Sequence, residues 1–576
     1  MTGGEGATET EFCGLADAVS HHVRDGDAIH VVMGHSRWSA LVREVARQHW
    51  GRPSGFTLIM ASLSSLGTAL VRSGCLRKVV SVYSGDSFPV FTPNPVYQQG
   101  FRELEVEHWS FLTFIQRLRA AATGVPAVVT NSVRGSSMAD NDAYAEVDTA
   151  FGRVRLVAPL VPDVAVLHAA VADRAGNLAV APPVFEGFVG ALAARRGVLA
   201  TVERVVDDLR PWSGLVRIPA HRVLAVVEAP FGAHPGGVFP GPEGMALPVR
   251  GYAEDIPFWI DVRDASRRDD FDAWIREWVL EPADHDAYLA KLGRNRLDAL
   301  VARATTPRSP ATTPSDEPPS PTERAAVWLA DLLVERIAAT GADSVLAGAG
   351  LANLAAWDGV GRCRAAGSRI ALIAELGLWG YDPAPGDPYP FSFANFPTSS
   401  MLLDTEQVLG SFVTSPTTRT VACVGAALVD RHGNINTTRT DDGTHLVGSG
   451  GANDIVTGAD ETLVVGTMSP RRFVADTDYI TSPGDRVRAV VTDLGVLEKL
   501  GGELILAAVA PGPEPRQERI EHARARCGWA LKTADHVRDL REVGPDDVEA
   551  LRSFDPDGLF LGRRVRQAAD HGKERP

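Results

Sequence analysis

The chain echoes itself, and that echo limits its architecture more than any other feature. Val164 to Asn177 reads Val-Ala-Val-Leu-His-Ala-Ala-Val-Ala-Asp-Arg-Ala-Gly-Asn; Thr420 to Asn434 reads Thr-Val-Ala-Cys-Val-Gly-Ala-Ala-Leu-Val-Asp-Arg-His-Gly-Asn. Each is an apolar, strand-like run closed by Asp-Arg-x-Gly-Asn, a turn in which Gly and Asn supply the left-handed conformations that other residues avoid. A second pair has the same shape: Gly26-Asp-Ala-Ile-His-Val-Val-Met-Gly34 and Gly341-Ala-Asp-Ser-Val-Leu-Ala-Gly348 each read as a strand running into glycine. Recurrence of matched apolar runs with matched turns indicates a duplicated domain, and two copies do not make a solenoid.

The copies are separated by Thr305 to Pro321, which holds six prolines and no large apolar residue. Such a stretch cannot bury enough surface to offset its ordering entropy and reads as a semi-extended linker. A helix over Ala325–Ala339 is expected to follow it. The division is therefore 1–304, a linker 305–321, a second unit 322–562, and a polar tail 563–576. Within each half, Val/Ile/Ala-rich runs (Leu156–Val161, Val164–Val171, Arg222–Val227, Val487–Val491) alternate with helical patterns (Arg37–Trp50, Phe271–Val279). That alternation predicts an α/β fold: two similar open α/β domains with buried, largely parallel strands.

Composition excludes some functions. A formal net charge of −15 disfavours nucleic acid and anionic membranes as partners, since both are held by clustered Lys and Arg. Five cysteines with no C-x-x-C pair give neither a disulfide framework nor a zinc site, and no metal is expected. The acidic N-terminus lacks the parts of a signal peptide, and no apolar run of about 20 residues could span a bilayer. The expectation is a cytoplasmic protein.

Two windows could carry chemistry. In Ala371-Leu-Ile-Ala-Glu-Leu-Gly-Leu-Trp-Gly380 a single carboxylate, Glu375, sits inside an apolar run and precedes two glycines. Glu is seldom buried unless paired or functional, and a strand-end carboxylate beside glycine turns can be presented to a ligand as a nucleophile. In Val447-Gly-Ser-Gly-Gly-Ala-Asn-Asp-Ile455 three glycines in four residues leave backbone N–H groups bare for an oxyanion or phosphate, without the Lys of a P-loop. Gly34 ends a strand where it could cradle a ligand or simply turn the chain. Glu105-Val-Glu-His-Trp109 reads as a solvated face.

The ordered set of motifs resembles class I CoA-transferases, most closely the glutaconate CoA-transferase type, usually built from two separate subunits, A-type and B-type. The N-terminal half resembles the A-type through Thr201-Val-Glu-Arg-Val-Val206, Pro230-Phe-Gly-Ala-His-Pro235 and Gly251-Tyr-x-x-Asp255. The C-terminal half resembles the B-type through Ala374-Glu-Leu-Gly377, Val429-Asp-Arg-His-Gly-Asn434 and Gly448-Ser-Gly-Gly-Ala-Asn-Asp454. The resemblance implies that Glu375 is the nucleophile, ionised at neutral pH from a carboxyl's ordinary value of about 4.3. It implies that Gly448, Gly450, Gly451 and Ala452, with Gly34, stabilise an oxyanion or hold CoA. Coenzyme A and a carboxylic acid are then substrates, with no permanently bound cofactor. The halves are expected to pair as a pseudo-heterodimer and further into a homo-oligomer.

The sequence also departs from the family. Where the A-like half usually carries Pro-Thr-Arg-Ser near the acyl pocket, it reads Val129-Thr-Asn-Ser-Val-Arg134, so Asn131 stands in place of Arg. Ser110, Asn131, Ser132 and Arg134 are the expected pocket residues, with Arg134 a compensating cation. Relatives on the same scaffold include CoA-ester ring-opening hydrolases and decarboxylases that lack the glutamate, and a non-catalytic acyl-CoA-binding protein on this fold is a further alternative. The hydrolase type relies on a glutamate of the A-like half, and the matching position falls near Ser110–Phe111, which weakens that alternative.

Overall fold

The computed structural model describes residues 9–36, 39–305 and 317–562. Most of the expected linker and the tail 563–576 lie outside the described residues. The flanks of the linker differ from expectation: the helix Arg294–Thr305 runs to its start, and the next helix, Pro321–Thr340, begins inside its last residue. Ser320 caps that helix, accepting from Glu323 N at 3.1 Å while Glu323 Oε2 accepts from Ser320 N at 2.8 Å, a capping box with Pro321 in the first turn.

Each half is built on a ten-stranded sheet. The N-terminal sheet has an eight-strand path, Glu11–Phe12, Val223–Glu228, Gly197–Val206, Val164–Asp173, Ala28–Val31, Phe56–Leu63, Leu76–Ser84, Glu105–His108, parallel throughout, and two short antiparallel strands, Leu178–Ala179 and Val216–Ile218, joined off it. The C-terminal sheet has a parallel centre of Ala371–Ala374, Ser344–Ala347, Thr420–Gly425, Glu461–Val465 and Val487–Thr492. Antiparallel strands flank that centre on both sides. The central strands read as unbroken apolar runs because helices cover both faces. This is the α/β architecture expected, and no described helix is long and apolar enough to cross a membrane.

The duplication extends to individual hydrogen bonds. Asp173 Oδ1 accepts from Asn177 N at 2.9 Å, and Asp173 Oδ2 accepts from Asn177 Nδ2 at 2.8 Å. Asp430 and Asn434 repeat both bonds at 2.9 and 2.8 Å. The Asn177 side-chain carbonyl accepts from Ala220 N at 2.9 Å, and that of Asn434 from Gly484 N at 2.8 Å. The donors lie in Pro219-Ala-His-Arg-Val223 and Pro483-Gly-Asp-Arg-Val487, each leading into a sheet strand. The repeat is thus longer than the pentapeptide.

Strand Glu105–His108 is not the solvated face expected. Only Glu105 is exposed; Glu107 bridges Lys78 and Arg117, and the His108 ring stacks on His445 of the other half, centroids 5.3 Å apart. The edge of the N-terminal sheet is covered by its partner half. One apolar core accordingly runs through both, including Leu112 and Phe114 from one half and Leu409 and Ile455 from the other.

Candidate active site at the seam of the two halves

Glu375 stands where strand Ala371–Ala374 turns back into Leu378–Trp379, with Ala374 paired to Leu378. The turn is tight because Gly377 has φ +110° and a Cβ there would overlap the Leu403 carbonyl; only glycine fits. The apolar run drives the strand into the core, and the hairpin lifts the half-buried glutamate to its end.

The glycine loop meets it from the side. A Cβ on Gly451 would overlap Glu375 Oε2 and lie 2.6 Å from its Cδ. The loop itself is held by the N-terminal half: Ser84 N donates to Val447 O at 2.7 Å and Gly450 N to Val82 O at 3.1 Å, around an antiparallel bridge between Tyr83 and Gly448. Phe111 N, at the start of helix Phe111–Thr123, donates to Gly450 O at 3.3 Å. The nucleophile candidate and the loop facing it belong to the C-terminal half, but the other half sets the loop.

Beneath the loop lies Asp454, 1% exposed. Its Oδ1 accepts from Ser110 Oγ at 2.7 Å and its Oδ2 from Leu112 N at 2.9 Å; the nearby Ser132 hydroxyl also favours its charged form. Next to it, Asn453 Oδ1 accepts from Val133 N at 2.9 Å. Burial pushes the Asp454 carboxyl up to about 6 against these hydrogen bonds, which lower it. Burial, and then the charge of Asp454, push Glu375 up to about 8. The direction runs against the expectation of an ionised Glu375: burial and the neighbouring Asp454 disfavour the charged form, and no cation is paired with it among the described residues.

The structure sorts the other expected residues. Ser110 and Ser132 converge on Asp454. Asn131 and Arg134 are exposed, and Arg134 lies 4.0 Å from Asp485 at the surface. Gly34 belongs to the loop after Ala28–Val31, and no hydrogen bond joins it to residues 448–452 among the described residues. The loop amides are not equivalent. Gly448 N donates to Thr437 O, Gly450 N to Val82 O and Ala452 N to Ser449 O, at 3.0 to 3.1 Å. The Gly451 amide has no acceptor among the described residues. Sequence reasoning misses Asp454 although the glycine-rich motif contains it; the available signal is a carboxylate three residues beyond a glycine nest.

Both halves of the chain are similar to known proteins. Residues 14–229 match the family model described as coenzyme A transferase. Over 319 residues the chain is 29% identical to the A-type subunit of glutaconate CoA-transferase from Acidaminococcus fermentans, covering 49% of this chain and 92% of that one. Over 175 residues it is 34% identical to the B-type subunit of 3-oxoadipate CoA-transferase from Pseudomonas knackmussii, covering 27% and 62%. An acyl-CoA transferase from E. coli O157:H7 shares the fold, with a TM-score of 0.63 at 16% identity over 95% of this chain and 96% of that one. An α/β enzyme whose single chain is similar to both subunit types is the class these findings define. Residues 14–229 are thus similar to the coenzyme A transferase family, and the two halves of the chain are similar to A-type and B-type CoA-transferase subunits respectively.

Proposed function

We propose that the protein moves CoA from an acyl-CoA donor to a carboxylic acid acceptor by covalent catalysis on Glu375. A Glu375 carboxylate oxygen attacks the acyl carbonyl, and CoA leaves as thiolate, giving an acyl-glutamyl anhydride. The thiolate attacks the glutamyl carbonyl of that anhydride, forming a glutamyl-CoA thioester and releasing the first acid. The acceptor carboxylate attacks the thioester, displacing thiolate and forming a new anhydride. The thiolate then takes the new acyl group and restores Glu375. Each step places negative charge on a carbonyl oxygen, and a preorganised amide aimed at that charge is worth about 2.7–4 kcal/mol.

The observation that carries this reading is the contact of Glu375 with Gly451, whose amide, like that of Ser449, has no acceptor among the described residues. A carboxyl held near 8 must lose its proton as substrate enters, so binding energy from the remote CoA body is available for that cost. Exposure of Asn131 and Arg134 supports an acceptor other than one held by a buried arginine fork. The protein is proposed to act in the cytoplasm as a homo-oligomer.

The test is incubation with acyl-CoA and no acceptor, followed by borohydride or hydroxylamine and peptide mass analysis. The expected result is modification at Glu375 with loss of activity, and none in Glu375→Ala. CoA release that proceeds without an acceptor acid, and leaves Glu375 unmodified, would establish a hydrolase instead.

A further inference from the structure

Asp454 is three residues past Gly451 on the helix Ala452–Gly458, so it and the loop glycine belong to one turn. It is almost fully buried, and no ion pair joins it to a cation among the described residues. Its partners come from the other half of the chain: Ser110 is the N-cap of Phe111–Thr123, and Leu112 lies in that helix's first turn. A carboxylate at a helix N-terminus is favoured by the free amides and by the helix dipole. Here the capping carboxylate is supplied by the opposite half.

We infer that Asp454 is the positioning residue of the active site, tying the first turn of the N-terminal half's helix to the turn that bears Gly451 and so setting Gly451 against Glu375. The inference rests on the proposed role of Glu375 and adds a residue to it. Asp454 touches no reacting atom in this arrangement and acts through the loop and through its charge. It is the one ionisable group whose charge bears on Glu375 among the described residues. The groups facing Asp454 are the hydroxyls of Ser110 and Ser132 and the amides of Phe111 and Leu112, which favour its charged form, and the carboxyl of Glu375, which is ionisable. The negative charge of Asp454 opposes ionisation of Glu375.

The two effects separate in two variants. Asp454→Asn keeps an acceptor for Leu112 N and a partner for Ser110 but removes the charge. Asp454→Ala removes both. The readout is the rate of Glu375 adduct formation from acyl-CoA without acceptor, measured from pH 5.5 to 9.5. In the wild type the rate rises through about pH 8. In Asp454→Asn the midpoint moves at least half a unit to lower pH while the adduct still forms. In Asp454→Ala the rate falls at least tenfold at every pH. If the Asp454 variants do not fold, Ser110→Ala reads the same anchor from the other half: slower labelling at an unmoved midpoint. An unchanged midpoint in Asp454→Asn, or wild-type rates in Asp454→Ala or Ser110→Ala, overturns the inference. Absence of any adduct in the wild type overturns the covalent mechanism instead.

Discussion

Gly451 and Glu375 occupy adjoining space so tightly that a side chain on the first would overlap the carboxylate of the second. Gly451 has φ −82° and ψ −3°, a conformation open to any residue, so the requirement for glycine is steric and not conformational. Gly451→Ala should therefore fold normally and lose turnover. Displacement of a reacting group by about 1 Å costs on the order of 100-fold, and a loss of that size in both adduct formation and overall transfer is expected. Circular dichroism and the melting curve should match the wild type. Retention of full activity would show that Glu375 works in another position.

The raised carboxyl of Glu375 also has a stability consequence with a definite sign. Its folded value, about 8, lies above the unfolded value of about 4.3, so the native state binds this proton more tightly. Its contribution is undiminished below the unfolded value and is lost as pH rises to the folded one. Glu375→Gln cannot ionise and escapes that loss. It should be more stable than wild type at pH 8 by about 1–3 kcal/mol, a discounted figure for a half-buried group, and nearly equal to it at pH 5. Urea unfolding at the two pH values measures the gap; a gap that does not change with pH contradicts the burial of the charge.

What is legible in the chain is local. The apolar runs, the Asp-Arg-x-Gly-Asn turns and a lone carboxylate just past Ala371–Ala374 each involve residues close in sequence, and the structure uses them as strands, turns and a hairpin tip. The longer repeat through Pro219 and Pro483 escapes a reading of the sequence because two of its five residues differ between copies. Which loop amides are engaged depends on carbonyls such as Val82, reached only when the halves dock. Asp454 looks like any acid in a first helical turn until Ser110, 344 residues away in sequence, is placed against it. The ionisation of Glu375 likewise depends on burial, which no local pattern reports.

The seam itself is open to test at Gly448. Its φ is +94°, and a Cβ there would overlap the Val82 carbonyl and stand 3.2 Å from the Val82 carbonyl carbon. Gly448→Ala meets both a backbone strain and a clash with backbone that cannot rotate away. The expected result is loosened docking of residues 82–84 on 447–450, seen as faster amide exchange at Ser84 and Gly450, with at least tenfold slower adduct formation. Protection at those amides equal to wild type would show that the bridge is not what holds the loop.

The duplicated turn predicts where stability resides. Asp430 is 2% exposed and accepts from His432 N, Asn434 N and Asn434 Nδ2, all at 2.8 to 2.9 Å. Asp430→Ala leaves three donors without their acceptor, and a lost charged acceptor of this kind costs about 3 kcal/mol. Asp173, its counterpart, is half-buried and accepts from Ala175 N, Asn177 N and Asn177 Nδ2, so water can replace part of what is removed and Asp173→Ala should cost less. Urea unfolding of the two variants compares equivalent bonds in unequal surroundings. The larger loss is expected for Asp430; equal losses would mean that hydrogen-bond geometry, and not burial, sets the contribution of this turn.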